Sequence, residues 1–396
     1  MRILFLSITV PFPSTDGGRI RVLNLLKHLA KKNRITFLAL ETEATDEQGI
    51  AHLQSLGIEA HLVPHPPHMP PLTFRTGMRA LMKRQPITIA RYDIPAFRRE
   101  FHALLANNKF DLIHYEMFHT AQYRVETEVP SLLSQQNVDS YIWHRLCEQT
   151  ANPRRKFMFW TQKRAFARHE RVVSPQFDAV ACASEIDRGL LQQACPNLAI
   201  EVIPNGVDID LYQPNHALEE DATIIYTGSM DWYPNEDAVI YFADEIFPRI
   251  QEKHPNIKFY IVGKDPTTRV RQLENRQGII VTGRVEDPKP YIAQATVYVV
   301  PLRIGSGTRL KILEALAMEK AIVSTSVGEE GLNLIDGEEI FIVDEPTRFA
   351  DAVIQLISNR SMRRRIGEKG RRRVGADYDW RRIGEKLHAL YESIAF

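Results

Sequence analysis

Two spacings alternate along the chain. Short apolar runs with strand composition, of the kind expected for strands covered on both faces, occupy residues 1–10, 35–40, 110–116, 131–135 and 177–184. A second set occupies residues 223–229, 258–263, 278–285, 297–300, 321–325 and 339–343. Between them apolar residues recur at helical spacing. Ile20, Leu23, Leu26 and Leu29 predict a helix over 19–32, residues 46–56 and 154–171 read as further helices, and Ser184 is placed to cap another. Val239, Phe242, Ile246 and Ile250 predict a helix over 236–253, Leu310, Leu313 and Ala317 one after the glycine-rich loop at 305–307, and a last helix runs to Phe396. Strand alternating with helix implies an α/β protein with parallel sheets.

The pattern starts twice. An apolar run leads through Pro11 to Gly18 into the first helix, and a second run leads through Gly228-Ser229 into the helix at 236–253. At 396 residues the chain is long enough for two domains of about 150–200 residues each. The start at Met1 runs into Pro11 and Pro13 and lacks a small-residue cleavage site, so it reads as a first buried strand and not a signal peptide. No apolar run approaches the roughly 20 residues that span a bilayer, which makes a soluble, cytoplasmic protein the expectation. Cys147, Cys182 and Cys195 have neither pairing number nor metal spacing, in keeping with a reducing compartment. A formal net charge of +1 argues against a nucleic-acid partner.

The densest chemistry lies in Pro301-Leu-Arg-Ile-Gly-Ser-Gly-Thr-Arg-Leu-Lys-Ile-Leu-Glu314. Strand, glycine loop and helix form a phosphate cradle, because the free N–H groups and the positive dipole end of a helix start favour an anion. Arg309 and Lys311 fall in the same first turn. Cations there oppose the dipole by roughly 0.3–1 kcal/mol each, so an anion is expected against them. Glu314, four residues after Leu310 on the margin of the apolar stripe, either pairs with Lys311 or accepts two hydroxyl hydrogens from a ribose.

Other candidates are more scattered. Gly17-Gly18 lets backbone approach a ligand, but the loop is too long for a dinucleotide fingerprint. His114, Glu116 and His119 lie at and beyond the end of an expected parallel strand, where ligands of open α/β sheets bind. His65 and His68 sit in a proline-rich segment with no third ligand, and Asp208-Ile-Asp210 follows a turn, so no metal site is expected. Cations interspersed with apolar residues over 74–101 suit either a solvated face or an anionic membrane surface, and 154–171 is a long charged helical stretch.

In order and spacing the stretch at 301–314 resembles the signature of glycosyltransferase family 4, and the resemblance extends over nearly the whole chain. It is strongest through Gly228-Ser229, Gly283-Arg284-Val285 and Gly305-Ser306-Gly307-Thr308 to Glu314. Within the family the chain is most similar to bacterial sugar transferases of exopolysaccharide and exosortase clusters. The resemblance implies a GT-B architecture: an acceptor-side Rossmann-like domain over 1–204, a nucleotide-sugar domain over 205–376, and a terminal segment 377–396 returning to the first. It also implies Glu314 on the donor ribose, the Gly283 loop at the base, Gly17-Gly18 beside the diphosphate, and a His after the strand ending at Glu116 touching the donor sugar.

Two departures stand out. The family signature usually has a second Glu eight positions earlier, and Ser306 stands there. The family also tends to place Arg and Lys after the first strand of the second domain, where this chain has Ser229-Met230-Asp231 and Asn235, leaving Arg309 and Lys311 to neutralise the phosphates. The resulting expectation is a metal-independent retaining glycosyltransferase with no cofactor beyond its nucleotide-sugar donor. Its acceptor would be a carbohydrate or a lipid-linked one, with possible peripheral membrane contact at the inner face. The rivals are a hydrolysing sugar-nucleotide epimerase and a non-catalytic sugar-nucleotide-binding partner.

Overall fold

A computed structural model describes residues 1–14, 16–41, 46–64, 74–82, 85–305 and 307–396. The chain divides into two compact units, Met1–Pro204 with Trp380–Phe396, and Asn205–Asp379. The segment that joins the first unit thus begins at Trp380 and not at residue 377. The reason is local: the helix Arg360–Asp377 runs on, and Val207 pairs with Asp379 and donates to the Tyr378 carbonyl, closing the second unit.

The first unit holds seven parallel strands, β1 (Arg2–Leu6), β2 (Arg34–Glu41), β3 (Glu59–Pro64), β4 (Leu112–Glu116), β5 (Ser131–Gln135), β6 (Ala179–Cys182) and β7 (Ile200–Val202), in the order β3-β2-β1-β4-β5-β6-β7. Ile3 of β1 lies between Ile35 of β2 and Leu112 of β4. Ile3 to Leu6 are fully buried, as a strand covered on both faces requires. β3 and β7 had no clear signal. Each is an edge strand whose residues are mostly half-buried, so neither shows a continuous apolar run.

The second unit repeats the plan with six parallel strands: β8 (Thr223–Thr227), β9 (Lys258–Val262), β10 (Ile279–Gly283), β11 (Val297–Val300), β12 (Ile322–Ser324) and β13 (Phe341–Ile342), ordered β10-β9-β8-β11-β12-β13. The helix expected over 236–253 is three pieces. Tyr233–Tyr241 and Phe247–Lys253 are α-helical, and the π-helical turn Phe242–Ile246 between them keeps Phe242, Ile246 and Phe247 in the core.

Both sheets reverse direction beside their first strand. After β1 the chain builds outward to β3 and returns to the other side at β4; after β8 it builds to β10 and returns at β11. In open parallel sheets the crevice beyond such a pair of strand ends is where ligands bind. The loops at these two places carry most of the residues singled out above.

Candidate functional site

In the second unit β11 ends at Val300 and the next helix, Leu310–Ala317, is buried through Ile312, Leu313, Ala315, Leu316 and Ala317. Arg309 is the extended residue that caps this helix, not a first-turn residue, and its own side chain makes no capping hydrogen bond. The approach to it bends through Gly305 at φ +136° and Gly307 at φ +80°. A Cβ on Gly305 would come within 2.6 Å of the Arg309 guanidinium, so glycine is what lets Arg309 fold back over the loop. Arg309 donates to the Val327 carbonyl at 3.4 Å. Thr308 Oγ1 accepts from Asn205 Nδ2 at 2.6 Å. Ser306 lies outside the described residues.

Lys311 is the most constrained group of the site. Its Nζ donates to the Tyr226 hydroxyl at 2.8 Å and to Asn235 Oδ1 at 3.0 Å, and lies 4.0 Å from the centre of the Tyr226 ring. Tyr226 lies within β8, and Asn235, in the helix Tyr233–Tyr241, also donates to the Ser229 carbonyl. Burial first, and then the nearby Arg309 charge, bring the Lys311 ammonium down to about 7, with Glu314 opposing. Gly228 lies close enough that a Cβ there would meet Lys311 Nζ at 2.8 Å. Backbone also touches backbone: a Cβ on Gly263 would come within 1.6 Å of the Gly228 carbonyl oxygen.

Glu314 does not pair with Lys311. It accepts from the Tyr212 hydroxyl at 3.0 Å, and burial raises its carboxyl above the ordinary value against the opposing effects of Tyr212, Lys311 and Lys289. Gly283, at φ +68°, closes β10, and after it Arg284 is exposed while Val285 packs against the core. Ser229 donates to Asp231. The partners Tyr212, Tyr226 and Asn235 were not foreseen as a shell around Glu314 and Lys311. Only Asn235 carried a signal, as the polar residue standing where the family places a cation.

In the first unit the helix begins at Gly17, two residues earlier than its apolar spacing suggests, because Asp16 caps it by accepting from the Arg19 N–H at 3.0 Å. Gly17-Gly18 is therefore the first turn of a helix and not a loop. A Cβ on Gly18 would meet Gln136 Oε1 at 2.9 Å, and Gln136 in turn donates to Glu116 Oε1 at 2.9 Å.

His114 and Glu116, expected at the acceptor side, are 0% exposed. This corrects the expectation that they meet a ligand. The His114 ring stacks on Phe5 with centres 4.1 Å apart. Its Nε2 and Glu116 Oε2 are 2.8 Å apart, and its Nδ1 lies 2.7 Å from the Tyr391 hydroxyl on the last helix. Burial lowers the imidazole's proton affinity. Burial also pushes the Glu116 carboxyl up, but His114, Arg21 and Gln136 together hold it below the usual range. A neutral ring then donates from Nε2 to the carboxylate and accepts from Tyr391 at Nδ1, which satisfies both nitrogens. Arg21, 1% exposed, donates to the Ile203 and Pro204 carbonyls.

His119 is differently placed. It follows the turn at Met117, which has φ +64°, and is half-buried edge-on to Tyr92 at 5.2 Å. Its Nδ1 has no hydrogen-bond partner among the described residues, and burial brings the ring down to about 4. Of the three acceptor-side candidates it is the one with a ring nitrogen still to be used. Asp208, once considered beside Asp210, accepts the Asp210 and Leu211 N–H groups and so shapes a turn. His65 and His68 lie outside the described residues.

The family description "Glycosyltransferase Family 4" matches residues 15–211, and "Glycosyl transferases group 1" matches residues 221–359. The chain belongs to the family 4 glycosyltransferases. A 44.6 kDa protein of the cps region of Klebsiella pneumoniae is 20% identical over 96% of this chain and 97% of its own length. The capsular polysaccharide biosynthesis glycosyltransferase CapM of Staphylococcus aureus is 27% identical over 48% of this chain and 53% of its own. Among solved structures, the sucrose-phosphate synthase of Thermosynechococcus elongatus superposes with a TM-score of 0.73 at 18% identity, covering 99% of this chain and 98% of that one. HepE of Anabaena, solved with UDP and glucose, gives 0.68 at 14% identity, covering 99% and 100%. These likenesses are of fold. The glycosyltransferase thus has the two-sheet GT-B architecture, and both of its units match family descriptions.

Proposed function

We propose that this glycosyltransferase moves a sugar from a nucleoside diphosphate sugar to a carbohydrate or lipid-linked acceptor, with retention of configuration and without a metal ion. The observation that carries the reading is Lys311, held by Tyr226 and Asn235 next to a helix start that its N-cap residue, Arg309, leaves without a side-chain hydrogen bond. A partly buried amine with so weak a hold on its proton is stabilised by a dianionic neighbour. Arg309 and the open N–H groups of Leu310–Ala317 would share the charge, so the leaving group needs no other cation. Glu314 would turn from Tyr212 to the ribose hydroxyls, with Gly283, Arg284 and Val285 at the base and Gly228, Ser229, Gly305, Gly307 and Thr308 around the phosphates and sugar.

In the transfer, the bond between the sugar's anomeric carbon and the diphosphate oxygen breaks while the acceptor oxygen bonds to that carbon from the same face. The acceptor's proton passes to the departing diphosphate oxygen. Lys311 and Arg309 stabilise the charge developing there. In the first unit the residues proposed for binding are His119, whose Nδ1 has no partner among the described residues, and the first-turn amides of Gly17-Gly18. HepE was solved with UDP-glucose, which makes uridine donors the first to test. CapM is named for capsular polysaccharide biosynthesis, which supports a carbohydrate acceptor.

The test is calorimetric binding of nucleoside diphosphates and their sugars in the presence of a chelator, followed by analysis of the product's anomeric configuration. One base bound with chelator present, and an α-linked product from an α-linked donor, is the expected result. Binding that requires added divalent metal, or an inverted product, would overturn the metal-free retaining reading. Free nucleotide released without any acceptor would replace transfer with hydrolysis.

A further inference from the structure

The helix Pro153–Val173 of the first unit has a charge pattern for which donor chemistry has no use. Seven of its 21 residues are Arg or Lys, and its one carboxylate, Glu170, is buried at 2%. In a chain with a formal net charge of +1 this is a concentrated positive face.

The helix is formed from its first turn, because Pro153 supplies the fixed φ of a first helical residue and Asn152 accepts the Arg154 and Arg155 N–H groups. Phe166 and Glu170 turn inward. Opposite them Phe157, Trp160, Arg164, Arg168 and Arg171 recur at helical spacing on one side. Phe157 is 66% exposed and Trp160 43%, and Met158 beside them 50%. The Phe157 and Trp160 rings stack with centres 6.0 Å apart, and the Arg164 guanidinium lies 4.9 Å from the centre of the Trp160 ring. Among the described residues, none of these arginines meets a carboxylate.

We propose that this face docks the protein on an anionic lipid bilayer. Arginines that snorkel around a pair of exposed aromatic rings have the composition of a helix lying in the membrane interface, with rings at the headgroup boundary and guanidinium groups on the phosphates. A soluble polyanion would engage the cations but leave Phe157 and Met158 uncovered, so the apolar residues favour lipid over polysaccharide or nucleic acid. Binding is peripheral: among the described residues no helix is long and apolar enough to cross a membrane. The inference is independent of the donor site, since Lys311 and Glu314 belong to the other unit.

The experiment is co-sedimentation of the full-length chain with phosphatidylglycerol–phosphatidylcholine vesicles and with phosphatidylcholine alone, at low and high salt. Wild type should bind the anionic vesicles and lose binding as salt rises. Replacing Arg164, Arg168 and Arg171 with Gln should weaken partitioning by roughly a hundredfold, at about fivefold per cation. Phe157→Ala with Trp160→Ala should weaken it while leaving the salt dependence in place. All variants should keep the wild-type circular dichroism and donor affinity in solution, because the substituted side chains are exposed. Equal binding to neutral vesicles, no binding, or unchanged binding in both sets of variants would overturn the proposal. So would heparin binding that is as tight as vesicle binding and indifferent to the aromatic substitutions, or a dimer in sedimentation that Phe157→Ala dissolves.

Discussion

Burial takes Lys311 from its ordinary value of 10.5 to about 7, which makes the charge drawn in by a donor countable. At 1.36 kcal/mol per pH unit, the drop corresponds to roughly 5 kcal/mol by which the empty site disfavours the ammonium. A diphosphate beside Nζ restores the proton, because an opposite charge at hydrogen-bond distance favours the charged form. Near pH 8, about one unit above the free-site value, roughly one site in ten is protonated before binding, so about 0.9 proton should be taken up with the donor. Affinity should be level below about pH 6 and fall close to tenfold per unit above about pH 7. Titration calorimetry in buffers of different ionisation enthalpy reads the uptake as a slope. A nucleoside diphosphate sugar is the ligand of choice, since neither phosphate titrates in this range. The stability sign follows from the same shift. A lysine with a lowered value in the folded state favours the fold above the unfolded value, and that contribution is lost as pH falls through about 7. Lys311→Met carries no such proton, and Tyr226 still donates to Asn235 at 2.6 Å. After subtracting about 1.5–3 kcal/mol for lost charged hydrogen bonds, the empty variant should be more stable than wild type by about 2–3 kcal/mol near neutral pH, while donor affinity collapses. Wild-type affinity that is flat from about pH 6 to about pH 9, with no proton uptake, would refute the placement of the donor phosphates against Lys311.

Glu314→Ala should weaken nucleoside diphosphate binding by roughly 10- to 100-fold, the worth of charge-assisted hydrogen bonds, yet leave inorganic pyrophosphate binding unchanged; equal losses for both would remove the ribose role. Tyr391→Phe strands His114 Nδ1 as a buried acceptor, so thermal unfolding should show a loss of about 1–3 kcal/mol with the donor KM unaltered. A stable variant without activity would return His114 to the chemistry. Arg21→Met leaves the Glu116 charge buried and two carbonyls unpaired, and chemical denaturation should register about 3–5 kcal/mol. Gly263→Ala drives a methyl into the Gly228 carbonyl, a backbone atom that no rotamer can move, so circular dichroism should show a second unit unfolded or lowered in melting temperature by more than the usual overpacking cost of about 1–3 kcal/mol.

The buried strands were readable because a strand covered on both faces writes itself as an unbroken apolar run, as in Ile3 to Leu6 and Val297 to Val300. The strand, loop and helix order around residues 301–314 was readable too, since glycines stand between an apolar run and an apolar helical spacing there. What stayed hidden depends on contacts between distant positions. Tyr226 and Asn235 reach Lys311 across 85 and 76 residues, and no local spacing announces such a cage. His114 and Glu116 were misplaced for a related reason. A polar pair at the end of a strand looks like a ligand site until a tyrosine 277 residues away occupies its open nitrogen. The first helix start was displaced because a cap outweighed apolar spacing, Asp16 ahead of Gly17.

The last helix, Trp380–Ala395, completes the first unit. Tyr391 reaches His114, Trp380, Ile383 and Leu387 are buried, and Gly384 lies so near His28 that a Cβ there would approach its side chain to 2.6 Å. Order of synthesis therefore runs against order of completion. Asn205–Asp379 is contiguous and can close its core as soon as it has left the ribosome. Met1–Pro204 emerges first but must wait for residues made after the whole of the second unit. During that interval the apolar face of Gly17–Leu29 is uncovered, the kind of transient surface that chaperones recognise, and the nascent chain is most exposed to aggregation in the half that was translated earliest.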